Sequence, residues 1–530
     1  MSFCRYFLQS VSQQMNIAKQ RTLPYLAIAI FIIAKIPHLH YGFYWDESWV
    51  YGPAIYAMYA HGPSLSPAAI SIDLSRGHPL LYHACCAAWM QLFGPSLFSV
   101  HCYALFVSVL LAVAVYEYMR RLFGHETGLL ALLLLLCNSD FFYTSSMLLT
   151  DIPLCLFVFA GIYAYSRRHY ASASIAVTVT AYIKESGLVL LPVIGADILA
   201  GFLTKKISLR ELVRSATVVL IPAVAIFIFF AVQKKVNGWY MNPDHIAIIH
   251  TGILYTASFI QRSMKLFLLN NYEYVYFMLA VIISIAAVVQ TRRYSYLYMP
   301  AAIVILFIAT LVLSYKDVAF FVLMPAAMII GVLLLKKAKR FTDEQFKFMR
   351  VTTLFCIGYV YFCCINFFEE RYLFPAFMLT DICVLAIYLV YTIQAFPRKK
   401  LVYIATLLLC ATTGIYSIVN DAGNKCTYNR MDVQQDVTDY FEHMHNYSVP
   451  VCAREFFEYI HLTDPGTGFL RYKRAFTHVR HAVDSSTQYV IITSEEYNDG
   501  WLPKLEANDR FYPVQTFKRE GETITILKRR

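Results

Sequence analysis

The chain has 530 residues, of which 58% are apolar and only 15% charged, against about 25% charged in soluble proteins. Apolar runs of about 18 residues recur over roughly the first 420 positions without a polar face, which excludes one water-soluble core. The net charge of +11 lies in clusters at the ends of those runs, so membrane lipids are the expected partners and nucleic acid is not.

The first run, Leu23 to His40, follows Lys19 and Arg21 with no small-residue cleavage site after it, and reads as a retained helix. Spans are then expected at about 22–40, 96–118, 124–139, 151–166, 171–183, 186–203, 213–232, 271–290, 296–314, 318–335, 351–368, 372–392 and 401–419, about thirteen in all. With a cytoplasmic N-terminus, every second connection is cytoplasmic. Those connections hold Arg120-Arg121, Arg167-Arg168, Lys205-Lys206 with Arg210 and Arg214, Arg292-Arg293, Lys336-Lys337 with Lys339-Arg340, and Arg398-Lys399-Lys400. Each obeys the positive-inside rule; Lys234-Lys235 is the main exception.

Two long loops, about 41–95 and 233–270, then lie on the outer side, the first rich in Tyr, Trp, His and Pro as interfacial segments are. An odd count also leaves the polar tail outside. Val449–Ala453, Gln488–Thr493 and Thr523–Leu527 read as strands, and about 433–445 as a helix. The expected architecture is an all-α polytopic membrane domain over 1–420, followed by a small extracytoplasmic α/β domain over 421–530. Most of the 13 cysteines fall in apolar runs and read as buried thiols. Only Cys426 and Cys452 lie in the tail, where a disulfide is open to them. Asn446-Tyr447-Ser448 matches a glycosylation sequon that matters only in a secretory compartment.

On this topology the outer ends of the helices collect ionisable residues. Asp46-Glu47 follows Tyr44-Trp45; Asp151 opens the fourth span; Lys184-Glu185 separates two apolar runs; Lys316-Asp317 joins the ninth and tenth spans; Glu369-Glu370-Arg371 opens the twelfth. Each has a plain structural reading: Asp151 as a helix N-cap, Glu369 to Arg371 as a solvated loop pair, Lys316-Asp317 as a turn, Asp46-Glu47 as interfacial carboxylates. Lys184-Glu185 is harder to set aside, because charge near membrane depth is costly and usually lines a cavity. Together they suit group transfer from a lipid-phosphate donor: a carboxylate takes the acceptor's proton, and Lys or Arg binds the phosphate and the charge gathering on it.

The same residues carry a resemblance. Trp45-Asp46-Glu47 with Tyr51, Gly77-His78-Pro79-Leu80-Leu81-Tyr82 before Leu92-Phe93-Gly94, Thr150-Asp151-Ile152-Pro153-Leu154, Lys184-Glu185-Ser186-Gly187, and Arg371-Tyr372-Leu373-Phe374-Pro375-Ala376 occur in that order. In this the chain resembles the class C glycosyltransferases, integral-membrane enzymes that use polyprenyl- or dolichyl-phosphate sugars. It is most similar to the branch with the lipid A aminoarabinose transferases and protein O-mannosyltransferases. The resemblance implies an inverting transferase moving a sugar from a polyprenyl-phosphate carrier to a lipid, glycan or protein acceptor, and a bacterial plasma-membrane location. It implies Asp46 as catalytic base, Glu47 in support, and Asp151 as the second acidic position of the catalytic set, which helps organise the acceptor or the base. Lys184, Glu185, His78, Arg371 and Tyr82 would bind substrate. The rival reading, a transporter or lipid flippase, expects repeats and charges at mid-membrane; no repeat is evident and the charges gather at one face.

The chain departs from the family at the metal. The family often has two prolines at Pro79-Leu80, and aminoarabinose transferases carry an acidic metal ligand where Gly77 stands. No metal site is expected, although His78, His245 and His250 are imidazoles on outer loops and a divalent cation is left open.

Overall fold

In the computed structural model, the described residues are 22–249, 252–269, 272–298, 341–366, 369–420, 422–494 and 511–530, with the isolated positions 301, 304 and 329. Eight helices are long and apolar enough to cross a membrane: Thr22–His40, Leu97–Phe123, Glu185–Leu203, Leu209–Asn237, Tyr274–Thr291, Asp343–Ile365, Glu370–Ile393 and Lys399–Asn420. Three shorter apolar helices, His125–Leu136, Asp151–Ser166 and Tyr170–Ile183, complete the described set. These eleven coincide with eleven of the expected spans. Apart from 296–298 and the isolated positions 301, 304 and 329, the expected spans 296–314 and 318–335, with Lys316-Asp317 and the Lys336–Arg340 cluster, lie outside the described residues, so the full count of thirteen is not established.

The helices sort by what they bury. Leu97–Phe123 packs along two neighbours and buries Leu111, Ala112, Val115 and Tyr116 completely or nearly so, in a core shared with Leu130, Phe159, Phe355 and Tyr359. Leu209–Asn237 instead exposes Leu220, Ile221, Val224, Phe227 and Ile228. Such a face is unfavourable in water and matched to lipid. Lys35, near the end of the first helix, is fully buried; its Nζ donates to the Phe142 carbonyl (2.8 Å) and the Tyr428 hydroxyl (2.9 Å). This ties the first span to a helix of the C-terminal part.

That helix, Ala422–His443, follows the last span almost without interruption and leads into a five-stranded sheet. The strands are β1 (Val451–Ala453), β2 (Val479–Arg480), β3 (Tyr489–Thr493), β4 (Phe511–Arg519) and β5 (Glu522–Arg529), in the order β2-β1-β3-β5-β4. β1 pairs in parallel with β2 and β3, whereas β5 runs antiparallel to β3 and β4. Val433, Val437 and Phe441 of the helix pack on Val451, Ile491 and Ile526. The three expected strands are present. β4 had no sequence signal because most of its side chains are exposed or half-exposed, leaving no apolar alternation to read. Cys452 is buried in β1, and the side chain of Cys426 lies outside the described set.

Candidate active site

The loop after the first helix turns sharply. Trp45 sits at φ 53°, a left-handed conformation that costs a bulky residue of order 1–3 kcal/mol unless its surroundings hold it. Immediately afterwards Glu47–Tyr51 winds as one π-helical turn, in which Gly52 N–H bonds to the Glu47 carbonyl. Pro53 has no N–H to continue the α-helical ladder, and a Cβ at Gly52 would lie 2.4 Å from that carbonyl. Gly52-Pro53 therefore fixes a wide turn that presents Asp46 and Glu47 in different directions.

Asp46 pairs with Arg371, brought in by the 3-10 turn Glu370–Leu373. Glu47 points inward and is 1% exposed. Its Oε1 accepts from the Leu148 backbone (2.6 Å) and lies 3.4 Å from His101 Nε2, while Oε2 accepts from Tyr44 N (3.3 Å). Glu47 thus fastens the Asp46 loop to the strand of backbone that precedes Asp151. Tyr51 repeats the link: its hydroxyl meets Thr150 Oγ1 at 3.1 Å, and burial pushes the phenol up to about 12.

Asp151 is the first residue of its helix; Thr150 is the N-cap, and no side chain caps the end. The carboxylate of Asp151 is instead engaged by Lys184 Nζ at 2.8 Å. Lys184 adopts an extended conformation between the helix Tyr170–Ile183 and a 3-10 turn, Glu185–Val189. The break is tight because Gly187 packs directly on Thr180, where a Cβ would come within 2.4 Å of Thr180 Cγ2. The ammonium also lies 3.9 Å above the Tyr372 ring, and the Arg371 guanidinium is 5.1 Å from the same ring. Tyr372 therefore sits between the two cations, a role sequence reasoning missed although it adjoins Arg371 in the quoted motif.

One member of each pair, Arg371 and Asp151, lines a cavity of about 490 Å³ whose walls also include Trp45, Tyr143, Arg262 and Glu369; Asp46 and Lys184 are joined to it through those partners. Arg371 has two buried N–H groups, Nε and Nη1, with no hydrogen-bond partner. Unmet guanidinium donors beside a cavity match a tetrahedral oxyanion. At the mouth Arg262 pairs with Glu370 at 2.8 Å.

The remaining sequence candidates lie apart from this wall. His78 Nδ1 contacts both Glu185 oxygens (2.9 and 3.0 Å) and its ring lies 4.6 Å from that of His245, tilted by 31°. Burial and the neighbouring His78 charge lower the pKa of His245. Tyr82 is 2% exposed and packs against Tyr51 and Tyr103. It braces the site from behind. An acidic ligand at position 77 does not fit: Gly77 has φ 76°, and a Cβ there would meet the Trp239 ring at 2.7 Å. Among the described residues, no group of three or more His, Cys, Asp or Glu side chains is arranged to hold a metal ion. His250 lies outside the described residues.

Residues 77–233 match the family described as dolichyl-phosphate-mannose-protein mannosyltransferase. The chain superposes on ArnT from Cupriavidus metallidurans bound to undecaprenyl phosphate, with TM-score 0.51, 11% identity, and coverage of 95% of this chain and 97% of that one. This is the class C glycosyltransferase fold. The apo state of the same ArnT gives TM-score 0.51 at 12% identity over 95% of this chain and 97% of that one. The archaeal oligosaccharyltransferase AglB from Archaeoglobus fulgidus, in complex with an inhibitory peptide and a dolichol-phosphate, aligns at TM-score 0.46 and 12% identity, covering 96% of this chain and 74% of that one. No curated protein sequence matches the chain. With its apolar helices and this class C fold, the chain is an integral multi-pass membrane protein.

Proposed function

We propose that the chain is an inverting glycosyltransferase that moves a sugar from a polyprenyl-phosphate carrier to a lipid, glycan or protein hydroxyl. One observation carries the reading: two carboxylate–cation pairs, Asp46–Arg371 and Asp151–Lys184, each present one member, Arg371 and Asp151, to one cavity, and Arg371 retains two buried N–H donors without a partner. The match to the dolichyl-phosphate-mannose family and the undecaprenyl phosphate bound to ArnT support the choice of donor.

In this reading the donor phosphate engages Arg371 Nε and Nη1, sharing the guanidinium and loosening its hold on Asp46. Asp46 takes the proton as the acceptor oxygen attacks the anomeric carbon. The new C–O bond forms as the bond to the phosphate oxygen breaks, and the carrier leaves as a lipid phosphate with one more negative charge. Arg371, with Lys184 beside it, offsets that charge. One displacement inverts the anomeric centre. Asp151 holds Lys184, and Glu47 holds the loop. No step needs a metal.

The expected setting is a bacterial plasma membrane, with the cavity and the C-terminal sheet on the extracytoplasmic side. The opposite end of the helix opened by Asp151, ~24 Å away at 1.5 Å per residue, carries the Arg167–Glu344 pair at 2.9 Å, in keeping with a cytoplasmic basic face. The test is Asp46→Asn in purified, correctly inserted protein, with membrane glycolipids compared by mass spectrometry. Transfer should be lost and the polyprenyl-phosphate sugar should accumulate; full transfer by the variant would remove the assignment.

A further inference from the structure

We propose that the C-terminal α/β part is a positioning element of the active site, with His461 and the Thr467 carbonyl holding the Phe43–Ser48 segment in the strained turn that aims Asp46 at Arg371. The proposal rests on the transferase reading for its catalytic consequence, but not for the contact itself.

The segment is closed on itself by Ser48 Oγ, which donates to the Phe43 carbonyl at 2.6 Å. It is then gripped from the tail. Phe43 N–H donates to the Thr467 carbonyl at 2.7 Å. His461 Nε2 lies 3.4 Å from Ser48 Oγ, and the imidazole also bonds to the Phe43 backbone. Because the single Ser48 proton is already given to Phe43, the imidazole N–H is the donor toward Ser48. Aromatic contacts widen the grip: Tyr44 stacks on Phe457 (5.4 Å), Trp49 meets Phe456 edge-on (5.8 Å), and His461 stacks on Phe469 (3.9 Å). Even Gly42 is required small, since a Cβ there would lie 2.6 Å from the Phe469 ring.

Phe457 and His461 are one turn apart on the helix Phe456–Thr463, so a single helical face covers the segment. His461 is 0% exposed and its Nδ1 has no hydrogen-bond partner. Burial, with Arg430 adding to it, holds the ring neutral. A phenylalanine would fill this site with no unmet polar atom. What histidine adds is one N–H, and that N–H is spent on the two ends of the Asp46 turn. A bulky residue at φ 53° persists only where its surroundings over-determine it, and the tail supplies those surroundings.

The experiment uses the full chain in lipid nanodiscs, with His461→Phe to keep the ring and remove the donor, and His461→Gln to restore an N–H near the Nε2 position. Amide exchange over residues 43–50 should rise about tenfold or more in H461F and stay close to the parent in H461Q, with the thermal midpoint of H461F not lowered. In H461F kcat should fall about tenfold or more while KM for a polyprenyl-phosphate sugar stays within about twofold, because a misplaced base costs rate and not donor binding. Unchanged exchange over 43–50, exchange rising throughout the chain, or H461Q behaving as H461F would overturn the proposal. If the parent transfers no sugar, or Asp46→Asn retains transfer, the transferase reading fails and the exchange arm still decides the grip. If Asp46→Asn is inactive and exchange in H461F is unchanged, only the positioning role fails.

Discussion

Asp46 and Arg371 stand 325 positions apart in sequence and form an ion pair in the fold. The pair joins the loop after the first helix to the turn that opens the Glu370–Ile393 span, and both side chains are about one-seventh exposed or less. A buried pair of this kind adds little net stability, but losing one partner leaves a charge uncompensated. Its value is therefore in placement: it fixes Asp46 beside Arg371, the cation proposed to bind the donor phosphate, before substrate arrives.

Replacing Arg371 tests this directly. Arg371→Lys keeps the charge but loses the forked donors, so it is not conservative here. KM for a polyprenyl-phosphate sugar should rise and kcat/KM should fall by about 10²-fold or more. Parent-like kcat/KM in steady-state assays would separate Arg371 from the donor phosphate.

Glu47 should behave as a fastener. Glu47→Gln keeps an acceptor for Leu148 N–H, whereas Glu47→Ala leaves a buried backbone donor unmet, at about 1–3 kcal/mol. Thermal unfolding in detergent should therefore show a clear loss for the alanine variant and a small one for glutamine. Equal effects would mean that charge, and not the hydrogen bond to Leu148, is what matters.

Acid should loosen the grip of the tail. Burial, with Arg430 nearby, lowers His461 to about 3 in the fold from 6.5. Glu458, 3.6 Å from Arg430, is the acid that faces this cluster. Between those values the unfolded state binds the proton and the folded state does not, so stability is full above about 6.5 and falls with pH below it, by at most about 1.4 kcal/mol per unit for this group. Burial lowers His83 to about 3 in the same sense. Midpoints measured from pH 7.5 to 5 should decline, and less steeply in His461→Phe.

Gly77→Glu should not create a metal site. The φ of 76° and the Trp239 ring leave no room for a side chain, so the variant should lose about 1–2 kcal/mol or more. It should also retain no zinc by elemental analysis. Stoichiometric zinc in a stable variant would show that the loop can rearrange to admit a ligand.

Much of this was legible in the sequence. Membrane spans follow from length and hydropathy alone, since a lipid-exposed backbone must satisfy its own hydrogen bonds; eleven expected spans correspond to described helices. Asp46, Asp151, Lys184 and Arg371 were each visible as charges that an apolar chain would not place without reason. Their pairing was not. Nothing local says that Asp46 faces Arg371 while Lys184 faces Asp151, nor that Glu47 turns inward to a backbone N–H, because those choices depend on how four distant segments cross. Tyr372 and His461 were hidden for the same reason: an aromatic beside an arginine and a histidine in a polar tail carry no periodic signal. By itself the sequence determined the solvent, the helices and the cast of ionisable residues. Which of them meet, and that the tail holds the loop of the first helix, was decided only by tertiary packing, where contacts between remote residues are set by shape and desolvation and leave no trace in local spacing.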